Sequence, residues 1–408
     1  MKKIPFAPPD ITELEIAEVV DALRSGWITT GQRTKLFEAR LADYMGTHTV
    51  VCLNSQTASA EMTLRLLGIG PGDEVIVPAY TYTATASIVD HVGARIVMLD
   101  SASGSFEMDY DKLADAITPR TKVIIPVDIG GRLCDYDRID AAIDSKRHLY
   151  RPGSDRQALF DRPIVMADSA HGLGGVYKGK MSGHWADFTT FSFHAVKNLT
   201  TAEGGAVTWR QVEGLDPFAF YREYMLLSLH GQDKDAFLKS WAGSWEYDIV
   251  NLGHKCNMTD VHASIGLQQL KRYPAMLARR HEIIRRYDEA LVPLGIERLV
   301  HQDEMGTSSG HLYLARIPGI GEAERNDMIR LMADEGIACN VHYKPLPMMT
   351  AYRALGLDIA DYPNAFAQYQ NEITLPLYSR LTDDDVSYVI EHFSRILERR
   401  IRPVRQRV

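Results

Sequence analysis

Short apolar segments alternate with helix-like segments through the first half of this 408-residue chain. Strands that alternate with helices form βαβ units, in which parallel strands lie side by side in one sheet. The alternation therefore predicts an α/β fold on a mainly parallel sheet. The segments typical of short buried strands are VVCLN, EVIVP, ARIVMLD, KVIIPVD, IVMAD, DFTTFSF and GAVTW.

Two segments in this half lie outside the alternating pattern of strands and helices. The first helix, in DITELEIAEVVDALRSG, is expected to begin at Asp10 as its N-cap and to stop at Gly26. Residues 145–163, SKRHLYRPGSDRQALFDRP, are polar, basic and rich in turn formers. We expect this insertion to be a surface loop rather than a lid over a substrate.

The alternation of short strands and helices ends near residues 255–265. A long helical segment with Pro274 as its expected kink comes first, and the segments HLYLARI, ACNVHY and VSYVIEHFSRILERR follow it. They suggest a smaller α+β unit. Because 408 residues exceed the usual size of one hydrophobic core, we predict a large domain over residues 1–258 and a small C-terminal domain over residues 259–408.

Composition and charge exclude several classes of function. The net charge is -8, and lysine and arginine are dispersed rather than clustered, so nothing indicates a nucleic-acid partner. The four cysteines are far apart and form no C-x-x-C pair, which disfavours a zinc site, any other metal site of that kind and a disulfide framework. The N-terminus has no apolar signal region, and no window approaches 18 continuous apolar residues. We therefore expect a cytoplasmic protein without a membrane partner.

Four polar clusters follow predicted strands. Ligands of open α/β sheets bind at the carboxyl ends of parallel strands, so we expect the clusters to converge. They are Ser55–Ala58, Tyr80–Tyr82, Asp168–His171 and Ser192–Lys197.

Asp168 and Lys197 carry the chemistry in combination. Alone, Asp168 is typical of an N-cap or turn, and Lys197 of a solvated surface. Together, a lysine that can form a Schiff base and a carboxylate that can keep a pyridine nitrogen protonated meet the two requirements of pyridoxal 5′-phosphate (PLP).

Neighbouring residues fit the same cofactor. Small and hydroxyl residues that open a helix in NSQTASAEM would supply N–H groups for a phosphate, although Ser55 and Thr57 are also ordinary capping residues. Tyr82 could stack on the cofactor ring or could be a buried tyrosine at a strand end.

At these residues the chain resembles the DegT/DnrJ/StrS family of PLP-dependent nucleotide-sugar aminotransferases. The resemblance spans nearly the whole chain and consists of several blocks in the same order. The blocks are SGWITTGQRTKLFEARLADYMG, GIGPGDEVIVPAYTYTATASIV, SFHAVKNLTTAEGGAV, GHKCNMTDVHASIGLQQL, VHYKPLP and LPLYSRLTDDDV. It implies the fold of the aspartate aminotransferase-like, fold type I enzymes, with a large PLP-binding domain and a smaller α+β domain.

The resemblance also implies roles for individual residues. Lys197 would form the Schiff base and move the proton between the substrate carbon and the cofactor, and Asp168 would pair with the pyridinium nitrogen. His171 would lie near the phenolic oxygen of the cofactor. The phosphate would be held by Thr57, Ala58 and Ser192, the ring would stack on Tyr82, and the partner's active site in a homodimer would receive Lys255 and Asn257.

Two positions and the 145–163 insertion, which is longer than the usual connection, depart from the family pattern. Gln56 occupies a place in the phosphate loop where the family usually has a small residue, so we expect a cofactor or substrate contact there to differ. Asp128 replaces the histidine that is common in PVH-x-x-G, which leaves the substrate contacts of that loop undetermined. Candidate substrate residues, each also explicable by packing or surface exposure, are Arg33, Lys35, His311, His342 and Tyr343.

The expected activity is transfer of an amino group from L-glutamate to a keto sugar, nucleotide-linked by resemblance, for a surface polysaccharide or a secondary metabolite. A related group has histidine at the position of Lys197 and carries out sugar deoxygenation, so the lysine favours transamination. The alternatives are a PLP-dependent sugar dehydratase, an aminotransferase for a non-sugar ketone, and a non-catalytic regulatory protein on the same scaffold.

Overall fold

The computed structural model describes residues 2–234 and 245–405, with side chains through residue 399. Its central sheet has seven strands. They are β1 (Val50–Leu53), β2 (Glu74–Pro78), β3 (Arg95–Leu99), β4 (Thr121–Ile124), β5 (Ile164–Asp168), β8 (Phe188–Ser192) and β9 (Gly205–Trp209). Smaller sheets contain β6 (Val176–Tyr177), β7 (Lys180–Met181), β10 (Glu297–Arg298), β11 (Gln302–Asp303), β12 (Gly306–Thr307), β13 (Tyr313–Arg316) and β14 (Glu372–Leu375).

The central sheet is mainly parallel. Its strand order is β1-β9-β8-β5-β4-β2-β3, and β9 alone runs antiparallel to its two neighbours. Strands β1, β2, β4, β5 and β9 are buried at every residue, as expected where helices cover both faces of a parallel sheet. The predicted α/β fold is confirmed.

The helices of the described residues account for the helical segments of the sequence. None of these helices has both the length and the apolar composition that crossing a membrane requires. They are α1 (Glu13–Arg24), α2 (Gln32–Met45), α3 (Gln56–Leu66), α4 (Ala84–His91), α5 (Tyr110–Ala116), α6 (Tyr136–Lys146), α7 (Pro217–Ser228), α8 (Asp260–Leu291), α9 (Glu322–Asp334), α10 (Thr350–Ala354), α11 (Pro363–Gln370) and α12 (Asp383–Arg405).

The N-terminus of α1 differs from its prediction. Thr12, not Asp10, is the N-cap, and it forms a capping box with Glu15. Asp10 instead accepts hydrogen bonds from Ser379 at 2.6 Å and from Arg272 at 3.3 Å. Tertiary hydrogen bonds therefore engage the Asp10 carboxylate, which the local sequence pattern predicted to cap the helix. Helix α8 contains Pro274 and is continuous through it.

The segment ACNVHY forms no strand. Asn340 makes a single antiparallel bridge with Thr374 of β14. After Asn340, side chains form the hydrogen bonds of the His342 backbone. Glu372 accepts from the His342 N–H at 2.9 Å, and the Tyr80 hydroxyl donates to the His342 carbonyl at 2.7 Å. Side-chain partners thus replace the ladder that a strand would need.

Two groups of core residues surround the sheets. One packs residues of α8, α9 and α12 around β13 and β14, with Ile4 from the N-terminal segment. The other cores flank the central sheet, and they also contain Leu346, Tyr352 and Tyr369 from the C-terminal part of the chain. The division between residues 258 and 259 stays a prediction.

The 145–163 insertion packs against the end of α3. Gln157 is fully buried, and its Nε2 donates to the carbonyls of Leu67 at 3.2 Å and Gly68 at 3.3 Å. Arg156 forms an ion pair with Glu223 of α7 at 2.8 Å. These contacts fix the insertion on the outside of the central sheet.

Candidate active site

The four polar clusters predicted from the sequence meet in one cavity of about 360 Å³. This central cavity lies where β2, β5 and β8 end, and where α3 begins after β1. Parallel strands place their carboxyl ends at one edge of a sheet, which explains the convergence. Residues from the clusters that line it include Ser55, Thr57, Tyr82, Asp168, Ser192 and Lys197.

Lys197 is the lysine of the cavity wall. Burial lowers its pKa to about 8, and the negative charge of Asp168 acts in the opposite direction. Its own backbone N–H donates to the carbonyl of His194 at 2.9 Å, so the residue lies in a tight turn after β8. An amine with this pKa is partly neutral near physiological pH and can act as a nucleophile or a base.

Asp168 is the buried carboxylate opposite this lysine. Its Oδ2 accepts a hydrogen bond from Thr85 Oγ1 at 2.7 Å, and its Oδ1 accepts one from the N–H of Ala170 at 3.2 Å. Burial raises the pKa of Asp168, while these hydrogen bonds and the charge of Lys197 oppose the rise. The carboxylate is therefore desolvated and suited to a cationic partner.

His171 is held as one tautomer. The backbone N–H of Gly130 donates to its Nδ1 at 3.2 Å, so the proton of the neutral ring lies on Nε2. Nε2 lies 3.2 Å from the Tyr343 hydroxyl. Burial and the nearby charge of Lys197 lower the pKa of His171 well below its usual value. The ring is thus a neutral hydrogen-bond donor.

The N-terminus of α3 borders the cavity, but its residues differ in whether their polar groups are free to bind a ligand. Ser55 caps the helix by accepting from the N–H of Ala58 at 3.0 Å, and Ala58 is not part of the cavity wall. Gln56 directs its amide to Thr190 Oγ1 at 3.0 Å. Thr57 lines the cavity together with the backbone end of the helix, whose dipole favours an anion.

Tyr82 and Ser192 complete the predicted cofactor set on the cavity wall. Tyr82 is 60% exposed and is not the buried strand-end tyrosine of the alternative interpretation. Its ring lies 5.9 Å from that of Tyr343. Ser192 Oγ accepts from the N–H of His194 at 3.4 Å and also lines the cavity.

His311 and His342 lie on the same wall. Asn198 donates to the carbonyl of Ser309 at 2.8 Å, so its Oδ1 accepts from His311 Nδ1 at 2.8 Å. His342 stacks on Phe6, with ring centroids 5.5 Å apart. Both histidines were candidate substrate residues, and the structure brings both to the cavity together with Tyr343.

Besides Ala58, four predicted residues lie outside the cavity of this chain. Arg33 forms ion pairs with Glu18 at 3.2 Å and with Asp21, and Lys35 is exposed on α2. The other two, Lys255 and Asn257, contact one another.

Asn257 contributes to a structural cluster that holds α2. Its Nδ2 donates to Thr30 Oγ1 at 2.6 Å. Asp260, next in this cluster, accepts from the N–H groups of Gly31 at 2.8 Å and Thr34 at 2.9 Å. The GHKCNMTD block thus also caps the start of α2.

Asp128 is fully buried beneath the cavity wall. Its carboxylate accepts from Ser169 Oγ at 2.6 Å, from the N–H of Cys134 at 2.9 Å and from the Tyr136 hydroxyl at 3.2 Å. It does not line the cavity, so it supports the turn after Asp168 rather than facing a substrate.

Three residues of the site escaped the sequence analysis. Thr85 lies in the hydroxyl-rich stretch TYTATA, and Asn198 follows Lys197 directly, so proximity to known candidates could have suggested both. Phe6 comes from an N-terminal segment in which no motif indicates a site. It reaches the cavity because Ile4 forms a parallel bridge with Ile337.

The residues present fit PLP. A lysine of lowered pKa, a buried carboxylate, a neutral histidine donor and a helix N-terminus surround one cavity. Among the described residues, no group of three or more histidine, cysteine, aspartate or glutamate side chains is arranged to hold a metal ion.

Comparisons with known proteins agree with this chemistry. The profile of the DegT/DnrJ/EryC1/StrS aminotransferase family matches residues 9–394. The spore coat polysaccharide biosynthesis protein SpsC of Bacillus subtilis is 39% identical over 95% of this chain and 95% of its own length.

Solved structures give the same result. Spr1654 of Streptococcus pneumoniae, named as a sugar aminotransferase, is 55% identical in its PMP form, with a TM-score of 0.95 over 97% of this chain and 100% of that one. Its PLP form is 54% identical, with a TM-score of 0.94 over 98% of this chain and 99% of that one. Helicobacter pylori PseC, an aminotransferase of pseudoaminic acid biosynthesis, is 26% identical, with a TM-score of 0.85 over 97% of this chain and 100% of that one.

Proposed function

We propose that this chain, which belongs to the DegT/DnrJ/EryC1/StrS aminotransferase family, transfers an amino group from L-glutamate to a nucleotide-linked keto sugar. The family makes it a PLP-dependent aminotransferase of fold type I, with amino-sugar biosynthesis as its context. The observation that carries the proposal is Lys197, whose pKa is lowered to about 8, in the same cavity as the buried carboxylate of Asp168.

Bound PLP supplies an electron sink for the negative charge that develops at the substrate carbon. Lys197 would attach the cofactor, Asp168 would hold its ring nitrogen, and His171 Nε2–H would donate to its phenolic oxygen. Tyr82 would cover the ring. Thr57, Ser192 and the start of α3 would hold the phosphate, whereas the Ala58 N–H is already occupied by Ser55.

Lys197 would carry the proton of the reaction. With a pKa of about 8, its Nζ can release and accept a proton without leaving the cavity. Asp168 is buried in the same cavity, where its charge acts on Lys197. His311, His342 and Tyr343 line the same cavity and would limit the access of water to that proton once the substrate is bound.

A sugar is supported as the acceptor by the shape and chemistry of the wall. Phe6, Tyr82 and Tyr343 supply aromatic faces, and the neutral imidazoles of His311 and His342 supply hydrogen-bonding groups for hydroxyls. The SpsC and PseC relatives, named for polysaccharide and pseudoaminic acid biosynthesis, point in the same direction.

A second copy of this chain would complete the site. Lys197 is the single lysine or arginine in the described cavity wall, and the proposed attachment of the cofactor consumes it. A diphosphate or a glutamate carboxylate then needs a cation from elsewhere. Lys255 is exposed beside the segment that contains Leu252, which is 96% exposed. We propose that this segment inserts into the partner subunit and brings Lys255 and Asn257 there.

The test combines spectroscopy with product analysis. Purified protein should absorb near ~400–430 nm when PLP is attached to Lys197. L-glutamate should abolish that band with release of 2-oxoglutarate, and a panel of UDP- and dTDP-linked keto sugars should restore it with formation of an amino sugar. Lys197→Ala should lose both reactions, whereas Lys180→Ala, which changes an exposed lysine outside the cavity, should keep them.

Other outcomes separate the alternatives. No cofactor band, or full transamination by Lys197→Ala, would refute the enzyme mechanism. Failure of glutamate to release 2-oxoglutarate, with the band intact, would favour a dehydratase. Amination of a ketone without a sugar, in preference to every keto sugar of the panel, would refute the sugar assignment.

A further inference from the structure

A chain of hydrogen bonds runs from the buried carboxylate of Glu372 to the cavity wall. Glu372 Oε1 accepts from Thr374 Oγ1 at 2.6 Å, and Thr374 Oγ1 lies 2.9 Å from His342 Nδ1. Glu372 Oε2 accepts from the backbone N–H of His342 at 2.9 Å. His342 is therefore held at its backbone and at Nδ1. Its Nε2 has no hydrogen bond to any of the described residues, and its side chain lines the cavity.

The Thr374 hydroxyl has one proton and can donate to only one partner at a time, so the protonation of Glu372 is coupled to that of His342. When Glu372 is ionised, Thr374 donates to it and must accept from His342 Nδ1–H, which leaves a bare lone pair on Nε2. When Glu372 carries a proton on Oε1, it donates to Thr374, whose hydroxyl proton then points to Nδ1. The neutral ring must in that case carry its N–H at Nε2.

We propose that Glu372 is a positioning residue that acts through Thr374 to set whether His342 Nε2 accepts or donates a hydrogen bond in the cavity. The inference rests on the sugar-acceptor site proposed above. It assigns His342 as a residue that contacts an oxygen of the acceptor. An ionised Glu372 prepares Nε2 to accept from a sugar hydroxyl, and a protonated Glu372 prepares it to donate to a keto or ether oxygen.

The surroundings of Glu372 allow both states. Burial raises the pKa of Glu372 to about 8, and the Thr374 hydroxyl, the His342 N–H and the charge of Arg325 oppose the rise. Arg325 donates to the carbonyls of Tyr369 at 2.8 Å and Glu372 at 3.0 Å. The titratable and charged groups that act on Glu372 or feel its charge are Arg325 on α9, Tyr80 after β2, and Cys339, His342 and Tyr343 in the segment before α10.

The histidine itself stays neutral while Glu372 titrates. Burial, followed by the charge of Lys197, lowers the pKa of His342 to about 3. The change at Nε2 is therefore an exchange between two neutral tautomers, without an imidazolium charge beside the cofactor. Stacking on Phe6 holds the ring plane, so the polarity of Nε2 can change while its position stays fixed.

Glu372→Gln offers a sharp test because only one orientation of its amide satisfies the site. The amide oxygen must accept from the His342 N–H, so the NH₂ group faces Thr374 Oγ1. Thr374 then donates to His342 Nδ1, and the ring is locked with its proton on Nε2. The variant thus reproduces the protonated state of Glu372 at every pH.

The first measurement is acylation of the holoenzyme by diethyl pyrocarbonate, mapped by peptide mass spectrometry. The reagent needs a bare imidazole nitrogen that it can reach. In the wild type, acylation of His342 should rise with pH as Glu372 ionises around pH 8. In Glu372→Gln it should be severalfold slower and independent of that ionisation. Nitrogen-15 NMR, assigned with His342→Gln, should show Nδ1–H in the alkaline wild type and Nε2–H in Glu372→Gln.

The controls are a second buried carboxylate, an exposed histidine and a variant of Thr374. Glu38→Gln changes another buried carboxylate, which accepts from the Cys52 N–H at 2.8 Å and the Tyr221 hydroxyl at 2.8 Å, away from the cavity. It should leave His342 as in the wild type. Acylation of His148, an exposed residue of the 145–163 insertion outside the cavity wall, serves as the internal reference. Thr374→Val should abolish the pH dependence at His342 while Glu372 is retained.

Kinetics test the assigned substrate contact. Glu372→Gln should change the KM of the acceptor found in the keto-sugar panel severalfold, with little effect on the glutamate half-reaction.

Identical acylation and tautomer in Glu372→Gln and the alkaline wild type would overturn the role of Glu372. A changed tautomer with an unchanged acceptor KM would overturn the contact by His342. If the panel contains no acceptor, the proposed function fails, while acylation and NMR still decide the role of Glu372.

Discussion

Thr85 Oγ1 donates a hydrogen bond of 2.7 Å to Asp168 Oδ2, and thereby links the start of α4 to the carboxylate at the end of β5. Both side chains are buried, and the two residues are 83 positions apart in the sequence. The hydroxyl favours the ionised carboxylate, because a hydrogen bond to a charged form stabilises that form. Thr85 therefore helps Asp168 to hold a cationic ring nitrogen.

Thr85→Val should weaken cofactor binding. Loss of the hydroxyl raises the pKa of Asp168 further, and a hydrogen bond to a charged group contributes ~1.5–3 kcal/mol, so PLP affinity should fall about tenfold or more. Equilibrium dialysis of PLP against the apoenzyme measures this. Thr63→Val is the matched control, because Thr63 is equally buried and donates to Ser59 O at 2.7 Å outside the cavity. Equal losses of affinity in both variants would contradict the specific role of Thr85.

Lys197 should capture PLP with a pH dependence of its own. Only the neutral amine attacks the aldehyde, and it forms as pH rises through the pKa of about 8. The capture rate of the apoenzyme, followed by stopped-flow absorbance, should rise with pH and level off above that value, whereas an ordinary lysine with a pKa of about 10.4 should keep gaining. Because the charge of Asp168 raises the pKa of Lys197, Asp168→Asn should shift the midpoint to lower pH. An unchanged midpoint would show that the charge of Asp168 does not affect the pKa of Lys197.

The 145–163 insertion should support stability without a direct part in turnover. Gln157→Ala removes buried hydrogen bonds to the carbonyls of Leu67 and Gly68 and should destabilise the fold by ~1–3 kcal/mol, visible as a lower Tm. The glutamate half-reaction at a temperature well below the Tm should stay as in the wild type. Gln211→Ala changes an exposed glutamine and should alter neither quantity. A normal Tm with lost turnover would instead indicate a lid over the substrate.

The strands and the main chemical residues could be predicted from the sequence because their signals are local. Apolar runs such as EVIVP mark buried strands, and the topology of a parallel sheet then brings their ends together. Lys197 and Asp168 were recognisable only in combination, as a lysine and a carboxylate that both lie near the ends of such strands. The roles assigned to them stay predictions that the variants above test.

Long-range contacts limited the rest of the prediction. Asp10 matched the pattern of an N-cap, but contacts with Ser379 and Arg272 engage it, and Thr12 caps α1. Arg33 was a candidate for substrate binding, yet the carboxylates of α1 hold its guanidinium. In each case a partner distant in sequence or on another helix decides where the side chain goes, and a local pattern does not contain that partner.

Asp128 should make the fold less stable as pH rises from about 4 to about 6. Burial raises its pKa from 3.8 to about 6, with hydrogen bonds from Ser169, Cys134 and Tyr136 opposing the rise. Between these values the native state binds more protons than the unfolded state, so the free energy of unfolding falls with increasing pH. Two pKa units correspond to about 3 kcal/mol, and Asp128→Asn should remove this dependence. The measurement is the Tm of both proteins across that pH range, with Asp43→Asn on the exposed face of α2 as the charge-matched control. A difference between wild type and Asp128→Asn that stays constant from pH 4 to pH 6 would show that Asp128 keeps an ordinary pKa despite its burial.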